Sequence, residues 1–288
     1  MNRIAITGAN GTAGRHMCAL LKKKNIPYLA LSRNEWDVRD WLTFGQLDSL
    51  FGSSAAVFHF AAQLPNKDSS TFDIFDANVR SCLNLAEWAS SRSVPLVFLS
   101  GATVYKDSHG KNITESDPKV VNGFGGFYGY SKLLAENIFE HFRHDGLKIV
   151  ILRPSSIYGY GLSSEKLIPS FIVSASRGET IRIPQPENRV NLIHAYDVAN
   201  AALAAFQRES WGVYNVGARN HSILEIANTA VEVMGRGNII CTPEDSAYKP
   251  FTRFDLVSDL AKSSFGFAPA ISLALGIKLI SLEQERVC

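Results

Sequence analysis

Arg3-Ile4-Ala5-Ile6-Thr7-Gly8-Ala9-Asn10-Gly11-Thr12-Ala13-Gly14 is the stretch on which the fold turns. Its opening residues are apolar and strand-like, and Met17, Leu20 and Leu21 then mark the apolar side of a helix. Strand, glycine-rich turn, helix is the context that a dinucleotide-binding turn requires. Glycines let the backbone approach a pyrophosphate, and the helix N-terminus adds N–H donors and a favourable dipole. Gly8, Gly11 and Gly14, with Asn10 and Thr12 between them, are the candidate cradle. The spacing is looser than GxGxxG, so the inference rests on its place between the first strand and the first helix. The competing reading is a tight turn that binds nothing.

Outward from this turn, strand Tyr28–Leu31 ends at Ser32-Arg33. An NAD site usually places an acid here for the ribose 2′-OH, whereas Arg accommodates a 2′-phosphate. No acid stands at the strand end, with Glu35 and Asp37 coming later. Ser32 and Arg33 therefore point to NADP, with NAD the alternative. Asp37-Val38-Arg39-Asp40 reads as the cap of an amphipathic helix carrying Trp41, Phe44, Leu47 and Leu50. Ala56 to Ala62 is a strand apolar on both faces, whose end at Phe60-Ala61-Ala62 is small enough for a cofactor to cross. A helix from Phe75 to Ser90 carries Asn78; strand Leu96–Leu99 runs into Ser100-Gly101-Ala102-Thr103; a long polar loop precedes a helix opening on Tyr128. Tyr128 and Lys132 are four apart and share one helical face. Strand Leu147–Leu152 ends in Arg153-Pro154-Ser155-Ser156. Strands alternating with helices this regularly predict an α/β fold, a Rossmann-like doubly wound parallel sheet with ligands at the strands' carboxyl ends.

After Gly161 the pattern loosens. Helices are expected at 167–176, 197–206, 223–234, 257–264 and 272–282, and short strands near 181–184, 191–194, 213–217 and 238. Residues 1–160, with 190–217 returning to them, form the expected nucleotide-binding domain. Residues 161–189 and 218–288, too small for a core of their own, are expected to fold over the sheet's carboxyl edge as a smaller interleaved substrate lobe.

The chain has 288 residues, 46% of them hydrophobic, and a formal charge of +2 with both signs interspersed. That gives no reason to expect nucleic acid or membrane as a partner. No apolar run reaches the ~18 residues of a membrane span, and Met1-Asn2-Arg3 leads straight into a strand without a signal peptide. Cys18, Cys82, Cys241 and Cys288 have neither metal-like nor framework spacing, which favours a reducing cytoplasm. His141 and His144 read as a solvated helix end, and no metal is expected.

Taken together, the motifs resemble the extended short-chain dehydrogenase/reductase family, the group of nucleotide-sugar epimerases, dehydratases and reductases. Thr7 to Gly14 is similar to its TGxxGxxG, Asp37-Val38 to its adenine-contacting pair, and His59-Phe60-Ala61-Ala62 to its xHxAA strand. Tyr128-x-x-x-Lys132 fits YxxxK, Arg153-Pro154 the RP strand end, and Asn191–Asp197 and Tyr214–Gly217 the IHVxDvA and YNvG segments. The resemblance implies a nucleotide-sugar substrate, a nicotinamide cofactor and a homodimer. It implies that Tyr128 exchanges a proton with the sugar oxygen while Lys132 holds the nicotinamide ribose. A free phenol titrates near pH ~10, and a neighbouring ammonium is expected to favour the phenolate. Asn78 and Pro154 join the cofactor set, and Gln63 the substrate set.

Three departures matter. The family's Ser or Thr three residues before the Val of Val104-Tyr105 is Gly101 here, so its role passes to Ser100 or Thr103, with Thr103 preferred because Ser100 alternates to the other side of the strand. The acidic pair of the 4,6-dehydratases is Ala102-Thr103, which argues against dehydration. The Asn that contacts the diphosphate is Ser156, leaving Arg189 and Arg253 as candidate clamps. The expectation is an NADP-linked 4-keto-sugar reductase. The alternatives are an NAD-dependent 4-epimerase and, given Gly101, an NADP-binding sensor or scaffold without turnover.

Overall fold

The computed structural model describes residues 3–66, 68–242 and 249–287. In chain order its first half runs β1 (Arg3–Thr7), α1 (Thr12–Lys23), β2 (Tyr28–Leu31), α2 (Phe44–Phe51), β3 (Ser54–His59), α3 (Thr71–Phe75), a π-helical turn (Asp76–Arg80), α4 (Ser81–Arg92), β4 (Leu96–Leu99), a 3-10 turn (Ala102–Val104), α5 (Gly126–His144) and β5 (Ile149–Pro154). The second half adds β6 (Ser156–Tyr158), α6 (Leu167–Ser176), β7 (Thr180–Ile183), β8 (Arg189–His194), α7 (Ala195–Gln207), β9 (Gly212–Val216), β10 (Asn220–Ser222), α8 (Ile223–Met234), β11 (Asn238–Cys241), β12 (Thr252–Arg253), α9 (Asp259–Phe265) and α10 (Leu273–Val287).

Six strands form one parallel sheet in the order β2-β1-β3-β4-β5-β9. Side-chain alternation splits its residues between two cores. Ile4, Ile6, Phe58, Val97 and Leu152 pack with α1 and α7 on one face. Ala5, Val57, Phe98 and Ile151 pack with α2, α4 and α5 on the other. The chain leaves β1 and β3 in opposite directions across the sheet, so ligand crevices fall at the carboxyl ends of these strands.

The smaller sheets are β10-β8-β12, with β6 also on β8, and β7 paired with β11. Here one expectation is corrected. The later elements do gather a core, in which Tyr158, Ile168, Leu192, Ile226 and Ile277 are buried together. Helix α9 packs instead with α7 and β9, placing Ala261 and Phe265 in the main core.

Two helix starts also differ from expectation. Asp37–Asp40 cap nothing: Asp37 accepts from Arg39, and Trp41 is left exposed. Thr43 caps α2 reciprocally with Gln46, a pairing whose short side chains and three-residue spacing suit a capping box better than Asp37 does. The helix expected from Phe75 begins earlier, at Thr71, under a Ser70–Asp73 capping box. Among the described residues no helix is long and apolar enough to cross a membrane, and no group of three or more His, Cys, Asp or Glu is placed to hold a metal.

Candidate active site

The glycine turn closes by a bond from the Gly11 N–H to the Gly8 carbonyl at 2.9 Å. Gly8 has φ +67°, and a Cβ there would stand 2.7 Å from the Ala61 backbone. A Cβ on Gly14 would stand 2.2 Å from the Gly8 carbonyl oxygen. Side chains would therefore fill the cradle, and the turn is shaped by backbone alone. Thr12 opens α1, directly after the turn. Thr7 Oγ1 accepts the Ala61 N–H at 3.2 Å and bonds His59 Nδ1 at 2.8 Å, which ties β1 to the end of β3.

Gly8, Asn10 and Gly11 line one cavity of about 300 Å³ with Phe60, Ala61, Ala62 and Gln63. Ser32, Arg33, Asp37 and Val38 complete its wall. Ten of the expected cofactor residues thus line one crevice, whereas Thr12, Gly14, Asn78, Tyr128, Lys132 and Pro154 do not line it. Gln63, expected on the substrate, stands on this side instead, its amide oxygen accepting from Arg33 at 3.3 Å. Arg39 also lines the cavity and is clamped by Asp37 at 2.7 Å and Asp73 at 3.2 Å.

A second correction falls here. Glu35 folds back so that the Ser32 N–H and hydroxyl both donate to its carboxylate at 2.7 Å. These bonds hold the Glu35 carboxyl below its usual range. An acid does therefore stand at the end of β2. Sequence distance concealed it, because the turn after β2 reverses the chain.

Asn78 sits in the π-helical turn, a local distortion often found at functional sites. Its side chain accepts the Gln63 N–H at 2.8 Å and donates to Ser131 Oγ at 3.0 Å, tying the end of β3 to α5. Pro154 ends β5 beside Val216, and Ser156 pairs with Leu192 of β8.

Tyr128 lies in the first turn of α5 and Lys132 one turn on, its Nζ 5.9 Å from the Tyr128 ring. The ammonium donates to the Leu99 carbonyl at 2.9 Å, at the end of β4, and lies over the Phe98 ring. Burial pushes Lys132 down to about 8 and Tyr128 up to about 12. The expected lowering of the phenol by its lysine neighbour is thus absent: desolvation of the half-buried ring outweighs a charge that points at Leu99.

Gly101 has ordinary extended φ. A Cβ on it would meet only Thr103, with Oγ1 3.6 Å away. Thr103 Oγ1 is buried without a partner, and a Cβ on Gly129, next to Tyr128, would stand 2.9 Å from the Thr103 carbonyl. The hydroxyl nearest the gap left by Gly101 is therefore Thr103, packed against the first turn of α5. Ser100 is committed elsewhere, donating to the Glu136 carboxylate.

Glu136 was not singled out from sequence, although its spacing of four from Lys132 and eight from Tyr128 places it on the same helical face. It forms a buried pair with Arg153 at 2.6 Å. Arg153 also donates to Tyr105 Oη at 3.0 Å, Tyr105 donates to Asn215 Oδ1 at 2.6 Å, and the Asn215 N–H donates to Glu115 at 2.7 Å.

Arg189 and Arg253 line a second cavity of about 400 Å³ with Phe171, Gln185 and Phe251. Arg189 donates to the Asn220 carbonyl at 3.1 Å and has Glu225 at 4.0 Å. Among the described residues Arg253 has no acid: its guanidinium lies 4.6 Å from the Phe124 ring and 5.5 Å from Phe251, with Nε buried and unpartnered there. Phe124, the ring over which Arg253 lies, precedes Tyr128 by four residues.

The model of the NAD dependent epimerase/dehydratase family matches residues 4–217. The chain is 28% identical over 268 residues to dTDP-4-dehydro-6-deoxy-D-allose reductase of a Streptomyces species, covering 81% of each chain. Its fold matches UDP-N-acetylglucosamine 4-epimerase of Bacillus cereus with TM-score 0.83 at 22% identity, over 99% of this chain and 97% of that one. It matches UDP-glucose 4-epimerase of Thermus thermophilus, solved with NAD, with TM-score 0.80 at 21% identity, over 99% and 100%. With the family's segments in order along the chain and its glycine cradle and Tyr–Lys helix in place, this protein belongs to the NAD dependent epimerase/dehydratase family and is an NAD(P)-dependent oxidoreductase.

Proposed function

We propose that the protein is an NADP-linked reductase of a nucleotide-activated 4-keto sugar. The observation that carries the reading is Tyr128 and Lys132 on one face of α5, with Lys132 anchored to the end of β4. The similarity to a 4-dehydro-sugar reductase over most of both chains supports the reaction class. Ala102-Thr103, with no carboxylate, leaves the turn after β4 without the acid that dehydration needs.

The cradle at Gly8, Gly11 and Gly14 suits a dinucleotide pyrophosphate: a Cβ at Gly8 or Gly14 would collide with neighbouring backbone, so the tight turn at the N-terminus of α1 depends on these glycines. When bound, the nicotinamide cofactor supplies the hydride. Tyr128 gives its phenolic proton to the sugar oxygen, while Lys132, anchored at the Leu99 carbonyl, holds the nicotinamide ribose beside it. Thr103 Oγ1 donates a hydrogen bond to the same oxygen, replacing the side chain that Gly101 lacks. Arg253 and Arg189 hold the diphosphate, and desolvation of Arg253 strengthens that contact. Arg33, exposed at the cavity mouth, takes the 2′-phosphate of NADP.

A second reading has its own observation. Glu35 bonds Ser32 at the end of β2, and although it lines a neighbouring cavity and not this crevice, it is an acid near the strand end of the kind an NAD ribose 2′-OH takes, as suits a 4-epimerase that retains NAD. Mass spectrometry of the cofactor carried by the purified protein, with NADPH oxidation over a panel of nucleotide-activated keto sugars, separates the two. Tightly held NAD with no use of NADPH overturns the reductase in favour of the epimerase. NADPH binding without turnover on any sugar would instead support a sensor or scaffold. The reading places the enzyme in the cytoplasm as a homodimer. Phe72 and Phe75, 81% and 39% exposed on α3 beside α5, offer an apolar face for a second copy, and light scattering at a monomer mass would remove the dimer.

A further inference from the structure

Lys132 takes its orientation from one acceptor, the Leu99 carbonyl at 2.9 Å. The next residue along β4, Ser100, is held twice. Its N–H donates to Leu152 of β5 at 2.9 Å, and its hydroxyl donates to Glu136. Glu136 in turn receives Arg153 through Nη2 at 2.6 Å and Nε at 3.0 Å, and Arg153 follows Leu152 directly. Leu99 and Ser100 are neighbours on the strand, and Lys132 and Glu136 are one turn apart on the helix. Two bonds therefore cross from α5 to the end of β4, and together they fix the helix's height and rotation about its axis. Arg153 on Glu136 and Asn78 on Ser131 hold the same helix from β5 and from the π-helical turn, and the Ser100 bond is the one that joins Glu136 to the strand end carrying the Lys132 acceptor.

Ser100, Lys132, Glu136 and Arg153 are each at most 5% exposed, so no water competes for these bonds. Arg153 already donates to both oxygens of Glu136, at 3.0 Å and 2.6 Å, so the Ser100 hydroxyl is not needed to satisfy the pair. What that hydroxyl adds is the link to the strand that carries the Lys132 acceptor. We propose that Ser100 and Glu136 are positioning residues for catalysis, clamping α5 to β4 so that Tyr128 and Lys132 keep their placement against the substrate oxygen. Ser100 then serves the reaction through Glu136 and not as a donor to substrate. The proposal rests on the reductase reading for its kinetic consequence but not for its structural one.

The test uses the full chain with Ser100→Ala and Ser100→Thr. Three quantities are measured: kcat and KM for a keto-sugar substrate, the Kd for NADPH, and hydrogen exchange of residues 126–136. Misplacing a reacting group by about 1 Å costs up to ~100-fold, so Ser100→Ala should lower kcat between ~10-fold and ~100-fold. KM and the NADPH Kd should hold, exchange across 126–136 should rise, and Ser100→Thr should restore both kcat and protection. Wild-type kcat and wild-type exchange in Ser100→Ala would overturn the proposal, as would a loss of NADPH affinity as large as the loss of kcat. If the wild-type protein reduces no keto sugar, the functional reading fails by itself, and the exchange of 126–136 in Ser100→Ala still decides whether the clamp exists.

Discussion

Two sets of polar side chains surround Tyr128, and they are built in opposite ways. From Ser100 through Glu136, Arg153, Tyr105 and Asn215 to Glu115, every group named is bonded to the next in a dry interior. Thr103 Oγ1 and Arg253 Nε are buried with no hydrogen-bond partner among the described residues. Unsatisfied buried polar groups are rare in native proteins and call for an explanation. Under the proposed function a ligand's oxygens would supply one for Thr103 and Arg253, while the satisfied network would supply the rigidity against which those oxygens are placed. The same helix belongs to both sets, with Tyr128 at one end of the shared face and Glu136 at the other.

The contrast can be broken in order of expected effect. Tyr128→Phe should reduce turnover by ~10²–10⁴-fold, the usual worth of a positioned acid, with the thermal midpoint unchanged. Glu136→Leu should act on the other side of the comparison: it strands the Arg153 charge, and urea unfolding should show a loss of ~3–5 kcal/mol. Arg253→Ala should weaken nucleotide-sugar binding by ~1.5–3 kcal/mol, read by calorimetry, because its partner is expected to be charged. Stability should fall little in that variant, since the guanidinium has no acid among the described residues to lose. A stability loss as large as that of Glu136→Leu would make Arg253 part of the rigid set.

The pH dependence of stability sharpens the account further. Burial pushes His59 down from 6.5 to about 3, with the nearby Lys132 charge adding to the effect. Below pH 6.5 the unfolded chain takes up a proton that the folded chain refuses, so stability falls as pH drops from 6.5 toward 3. His59→Asn should flatten that slope in acid titrations followed by circular dichroism. Lys132 has the same sign at higher pH: its folded value near 8 lies below the usual 10.5, so stability rises between them. Activity that needs its charge should decline over the same interval. Smallest of all, Arg33→Ala should raise the NADPH Kd about tenfold, the scale of one charge-assisted bond, and spare NADH.

Much of this was legible in the sequence because it is backbone-made or periodic. The turn at Gly8–Gly14, the strands Tyr28–Leu31 and Leu96–Leu99 and the helix Leu167–Ser176 follow from local pattern, and the structure places each where the pattern does. The Tyr128–Lys132 face followed from helical spacing alone. Illegible features depend on chain reversal or on distant partners. Glu35 reached Ser32 only through a turn that no periodicity announces. Ser100 and Arg153 meet at Glu136 from three separate elements. The spacing of Tyr128, Lys132 and Glu136 was a usable signal for that carboxylate. Its partners were not, since nothing in Tyr105 or Asn215 marks them as neighbours 110 residues apart.

The most direct test of the central claim is the rate of NADPH oxidation with a nucleotide-activated 4-keto sugar, measured side by side for the wild-type protein and Tyr128→Phe. The account predicts turnover by the wild type and a loss of at least ~10²-fold in the variant with NADPH binding retained. Wild-type turnover that survives Tyr128→Phe at a near-normal rate would contradict it.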